Sequence, residues 1–156
     1  MIVVECYADE HLLIALGIPK TNITHRKGKS RVIFWVNHLG MGIGIVDKDP
    51  DSKPPSGFSR EYLQICEEGS LALLQHRHYP NRRIIEIQPR LEEWILARAR
   101  VNHIHPSDYS LPNDGEALHN DPHYERRANY QLFLGTLVQI DAEMRTMKRW
   151  IDGTSP

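Results

Sequence analysis

The sequence predicts an α/β fold: a short, mainly parallel sheet of about four strands with helices on both faces. Three observations lead there. Two continuous apolar runs, Ile2-Val3-Val4 and Met41 to Val46, each end in acids, the pattern of strands buried on both sides. Stretches with helix caps stand between such runs. A parallel strand reaches its neighbour only through a crossover, which is usually helical.

Ile2 to Val4 is the first strand, ending at Glu5. Asp9 is the expected cap of a helix from His11 to Leu16, which Gly17 closes and Pro19 follows. Thr21 to His25 alternates β-branched residues and reads as a second strand. A basic loop follows, Arg26-Lys27-Gly28-Lys29-Ser30-Arg31. Val32 to Leu39 has strand propensity, with Val32, Ile33, Phe34, Trp35 and Val36 in succession. Ser30 as N-cap, Gly40 as C-cap and the need for a crossover favour a helix instead.

Met41 to Val46 is the third strand, running into Asp47-Lys48-Asp49-Pro50-Asp51; Gly42 and Gly44 predict close packing on one side. After a proline-containing loop, Ser59 to about His76 reads as helix with a weak point at Gly69. Arg83 to Gln88 is a fourth strand, and Pro89 opens a helix from Arg90 to Val101 with Leu91, Trp94, Ile95 and Ala99 on one face. Residues 102–124 are polar, with three prolines and four histidines, and read as one irregular loop. A single helix from about Arg126 to Trp150 closes the chain, its stripe formed by Tyr130, Phe133, Leu134, Leu137, Ile140, Met144 and Met147. The length of 156 residues fits one domain, 1–156.

Composition narrows the function. Nineteen basic and twenty acidic residues leave a net charge of −1, so any anionic partner must be held by a local site rather than by bulk charge. Cys6 and Cys66 are the only cysteines, which excludes a disulfide scaffold. No apolar run approaches the roughly 20 residues of a membrane span, and the start MIVVEC lacks the features of a signal peptide. The expected location is the cytoplasm, with reduced thiols and no membrane partner.

Chemistry concentrates at two strand ends. In an open α/β sheet, ligands bind beyond the carboxyl ends of the strands. Were the first and third strands parallel neighbours, Glu5 and Asp47 would meet there. Converging carboxylates repel, and a divalent cation relieves that repulsion. An oxygen-only set made of Glu5, Asp47, Asp49 and Asp51 suits Mg2+ or Mn2+ rather than zinc. Lys29 and Arg31, beside helix N-terminal N–H groups, are candidates to hold phosphate. Gly28-Lys29-Ser30 is not a P-loop, since the required glycine five residues earlier is Ile23. The alternative for that loop is a solvated basic turn. A rival metal site would use histidine pairs: His76 with His78, His103 with His105, or His119 with His123. Cys6 reads more simply as a small buried residue than as a nucleophile.

The order of these features resembles the Toprim domain, shared by topoisomerases, primases, overcoming-lysogenisation-defect nucleases and small stand-alone proteins. Ile2-Val3-Val4-Glu5 and Gly44-Ile45-Val46-Asp47-Lys48-Asp49 stand where that family has a glutamate after its first strand and a DxD after its third. Ile85-Glu86-Ile87-Gln88-Pro89-Arg90-Leu91-Glu92-Glu93-Trp94 is similar to a strand-to-helix segment of small Toprim-like proteins. Many Toprim sequences have glycine after the glutamate, where this chain has Cys6. The resemblance implies a Toprim-like, Rossmann-like sheet, with Glu5 as general acid or base and Asp47 and Asp49 as ligands of Mg2+. It implies a metal-dependent nuclease acting on DNA or RNA. Two other classes stand beside it: a non-catalytic Toprim-like module working with a separate ATPase or nuclease, and a small-nucleotide phosphatase or binding protein. A homodimer is compatible with each.

Overall fold

The structure, a computed structural model, describes residues 1–49 and 55–153. Asp51, expected to assist a metal, lies outside the described residues. The strands are β1 (Ile2–Val4), β2 (Ile23–His25), β3 (Gly42–Asp47), β4 (Tyr62–Glu68), β5 (Leu71–His76) and β6 (Arg82–Ile87). The α-helices are α1 (Tyr7–Ala15), α2 (Lys29–Leu39), α3 (Phe58–Glu61), α4 (Leu91–Val101), α5 (Gly115–His119), α6 (Ala128–Ile140) and α7 (Ala142–Ile151). No helix among the described residues is long and apolar enough to cross a membrane.

The α/β class and helices on both faces are present. The sheet has six strands rather than about four, in the order β2-β1-β3-β6-β5-β4. Its β2-β1-β3-β6 half is parallel, while β5 and β4 add antiparallel beyond β6. The sheet is therefore mixed. The two extra strands come from Ser59 to His76, the stretch expected to be helical. Glu68 pairs with Leu71 across a two-residue turn, Gly69-Ser70, and Gly69 has a left-handed φ of +58°. A Gly-Ser pair is a hairpin signal, and here it outweighs the helix propensity of the runs on either side.

Two apolar clusters sandwich the sheet. On one face Ile43, Ile45, Leu71, Leu73, Ile85 and Ile87 meet α1, α4, α6 and α7. On the other, Val3, Val46, Ile84, Ala72 and Leu74 meet Val32, Ile33 and Val36 of α2, with Phe58 and Tyr62. So Val32 to Leu39 is a helix, as the crossover argument required. Gly44 explains how closely α2 lies. A Cβ there would stand 2.7 Å from Ile84 Cδ1 and 2.8 Å from Val32 Cγ1.

Three further elements differ from the sequence reading. Helix α1 starts at Tyr7, so Asp9 sits inside its first turn; the cap is Cys6, whose sulfur accepts from the Asp9 N–H while the Cys6 N–H donates to Asp9 Oδ2 at 3.0 Å. Residues 102–124 are not structureless: they hold a 3-10 turn at Pro106–Tyr109 and helix α5, with a further 3-10 turn at Tyr124–Arg126. The closing helix is two helices, broken at Asp141. Asp141 is fully buried and caps α7 by accepting from the Met144 N–H, while Arg98 Nε donates to it at 2.7 Å. Ile140, expected in the core stripe, is exposed at this break.

Candidate functional site

Strands β1 and β3 are parallel neighbours, so their carboxyl ends bring Glu5 and Asp47 together. The Asp47 N–H donates to Glu5 Oε1 at 3.0 Å. Asp47 Oδ1 in turn accepts from the Leu91 N–H, in the first turn of α4, at 3.0 Å. The start of α2 faces Glu5: Gly28 caps that helix without a side chain, and the Lys29 N–H favours the ionised Glu5. The partial positive charge of helix N-termini thus supports this group of acids.

That support is incomplete. Burial, and then Asp9, push the Glu5 carboxyl up to about 7, although hydrogen bonding from Asp47 and the charge of Lys29 pull the other way. Asp47 is raised further, to about 9, first by burial and then by the charges of Asp9, Glu5 and Glu92. Asp9, itself buried, is raised to about 6. Four carboxylates thus act on one another: Glu5, Asp9, Asp47 and Glu92.

Glu92 is 5% exposed and heavily engaged. The Tyr124 hydroxyl donates to its Oε1 at 2.8 Å, and His119 Nδ1 lies 3.0 Å from the same oxygen. The 102–124 segment therefore folds back onto the acidic end of the molecule through α5 and Tyr124. A cleft of about 220 Å³ lies there, lined by Cys6, Tyr7, Glu92, His119 and His123 among others.

The other expected residues fare unequally. Lys29 reaches the site, but its Nζ pairs with Glu86 Oε1 at 2.7 Å and donates to the Asp47 carbonyl oxygen at 3.2 Å. Glu86 is 8% exposed, so this is a buried ion pair. Arg31 is exposed in the first turn of α2. Asp49 takes a left-handed backbone, φ +33°, and its N–H donates to the Pro89 carbonyl. Its charge is felt by Arg90, which pairs chiefly with Glu93. Cys6 is exposed rather than buried. Its thiol is pushed up by loss of solvent and by Asp9, so it stays protonated, and a thiol rather than a thiolate is a poor nucleophile.

Sequence reasoning placed Asp9 as a helix cap and left Glu86 and Glu92 without roles. Their signals are faint but present: an acid in the first turn of each helix that follows β1 and β6, and an acid set among the isoleucines of β6. Among the described residues, no three His, Cys, Asp or Glu side chains stand close enough to hold a metal ion as placed. The histidine pairs belong to no such group either: the His76 and His78 rings stand 6.1 Å apart, with the His78 N–H donating to His76 Nδ1, and His123 lies 3.9 Å from Glu125. Comparison with models of known families, with curated proteins and with solved structures gives no match.

Proposed function

We propose that this chain is a Toprim-like protein that performs divalent-metal-dependent phosphoryl transfer on nucleic acid, most simply phosphodiester hydrolysis. One observation carries the reading. Glu5, at the carboxyl end of β1 and hydrogen-bonded to Asp47 at the end of β3, has its carboxyl raised to about 7. A general acid or base works best when its pKa lies near the working pH. The pattern of residues around it is the one that resembles the Toprim domain.

The donor set fits a hard cation in its chemistry. Glu5, Asp47 and Asp49 offer only oxygen, and burial disfavours the ionised forms of the first two, which a cation would favour. These three, with Asp51, would hold Mg2+ or Mn2+. When bound, such an ion polarises a phosphoryl oxygen and steadies developing negative charge. Glu5 moves the proton of the attacking water or of the leaving group. Lys29 keeps Glu86 neutralised beside the end of β3, and so positions the Asp47 backbone.

The test is cleavage of single-stranded and duplex DNA and of RNA with millimolar Mn2+ or Mg2+. Asp47→Asn keeps a carbonyl oxygen for the Leu91 N–H, so the fold survives while cleavage is lost. Equal cleavage by this variant overturns the reading. A second reading is a non-catalytic module that serves a separate ATPase or nuclease. The Lys29–Glu86 pair favours it, because the ammonium expected to hold phosphate is already engaged. If calorimetry shows no binding of Mn2+ or Mg2+ to the wild-type chain, this second reading replaces the first.

A further inference from the structure

A larger cleft, about 660 Å³, opens at the opposite end of the parallel strands, where β1, β3 and β6 begin. Ile2, Ile43 and Arg83 line it, whereas Glu5 and Asp47 follow the far ends of β1 and β3. At about 3.3 Å per residue, the cleft lies roughly 10 to 13 Å along the sheet from the carboxylates. Its size is that of a small-molecule site.

Arg83 is the residue that marks it. In β6 the side chains of Arg83, Ile85 and Ile87 share one face, and the two isoleucines belong to the main core. Arg83 therefore stands where strand alternation calls for an apolar residue, register-paired with Ile43 on one side and Gln75 on the other. It is half-buried, and among the described residues it has no ion pair and no side-chain hydrogen bond. Other half-buried arginines are provided for differently: Arg82 stacks on Tyr79 at 4.0 Å and Arg26 on Trp35 at 4.1 Å. Burial lowers the Arg83 pKa, which is what an uncompensated cation feels. Placing a charge on a core face costs free energy unless something pairs with it.

Lys148, from the last turn of α7, adds a second cation to the same cleft. Its only acidic partner among the described residues is Asp152, which also lines the cleft, lies 3.8 Å away and is half exposed. Asn22 and Gln75 supply amide groups, and Ile18 and Ile151 an apolar wall. We propose that this cleft binds a small organic oxyanion: a carboxylate or phosphate head on Arg83 and Lys148, and an apolar body against Ile18 and Ile151. This site is separate from the carboxylates and does not depend on the function proposed for them.

The test is calorimetry on the full chain with three probes, AMP, benzoate and inorganic phosphate, and adenosine as the uncharged control. AMP or benzoate is expected to bind and adenosine not. Binding by AMP and competition by inorganic phosphate identify a phosphate head; binding by benzoate identifies a carboxylate head. Arg83→Gln should weaken binding roughly tenfold or more, the loss expected for a charge-assisted hydrogen bond. Lys148→Gln, at a surface position, should weaken it less and serves should Arg83→Gln fail to fold. Asp47→Asn should bind the probes as the wild type does. No binding by any probe, equal binding of adenosine, or undiminished binding in both cleft variants overturns the proposal. So does loss of binding in Asp47→Asn, which would put the ligand at the other end.

Discussion

Replacing Glu5 by Gln should make the metal-free protein more stable near pH 8 and leave it unchanged near pH 4. The Glu5 carboxyl moves from 4.5 to about 7 on folding, driven by burial and by Asp9. Between those values the folded chain keeps a proton that the unfolded chain has lost. Stability therefore falls as pH rises through that window and levels off above it. At about 1.4 kcal/mol per unit, the shift corresponds to roughly 3 kcal/mol. Asp9 and Asp47 are raised by the same cluster and relax when Glu5 is neutral, so the observable gain is about 1 to 3 kcal/mol. For a chain of this size that is a rise in Tm of about 3 to 10 °C. Gln keeps an oxygen to accept from the Asp47 N–H, so the fold is spared. Urea unfolding, followed by the fluorescence of the buried Trp94 and Trp150, measures the effect at both pH values. A loss of stability near pH 8, or the same change at both pH values, refutes the electrostatic account. The variant should also lose cleavage, so a gain in stability would accompany a loss of function.

Metal should act on the same strain. Millimolar Mn2+ is expected to raise the wild-type Tm more near pH 8 than near pH 5.5, since Glu5 and Asp47 must give up protons to bind it, and differential scanning fluorimetry decides. Lys29→Met leaves Glu86 buried without its cation and should cost about 3 to 5 kcal/mol in chemical denaturation. Arg98→Ala should cost a similar amount, because it strips the fully buried Asp141 and also Glu143 of their ion pairs. Gly44→Ala forces Val32 and Ile84 apart and should lower stability by about 1 to 3 kcal/mol in the same assay.

The parallel half of the sheet was legible because its signals are local: an apolar run, an acid at its end, and caps on the helix that follows. Gly44 could be singled out as a close approach because glycine inside an apolar strand has few other reasons to be there. The hairpin was misread because Leu63, Gln64, Glu67 and Leu71 to Leu74 are good helix formers, and β4 as an edge strand is exposed on both sides. It therefore lacks the alternation that marks a half-buried strand. Asp141 was missed for a different reason. The apolar stripe runs on through it at helical spacing, and only Arg98 and Asn102, forty residues away, make a buried acid tolerable there. Glu5 and Asp47 were found from strand ends alone. Glu92 and its link to Tyr124 and His119 depend on how a polar segment folds back, which no local pattern encodes.

The net charge of −1 conceals a polarity along the sheet. Where the parallel strands end, Glu5, Asp9, Asp47 and Glu92 gather, and burial raises the first three above the usual carboxylate range. Where the same strands begin, Arg83 stands on the core face without an acid. These two groups lie roughly 13 Å apart along the strands, too far for an ion pair. At the start of the strands Asp152 answers Lys148 at 3.8 Å, but among the described residues no acid pairs with Arg83, which is the basis for the oxyanion proposed there, as the gathered acids are for the proposed cation. An Asp47→Asn, Arg83→Gln double variant separates this from a chance arrangement. If the two ends are independent sites, their stability effects add to within about 0.5 kcal/mol, and each substitution weakens only its own ligand's binding.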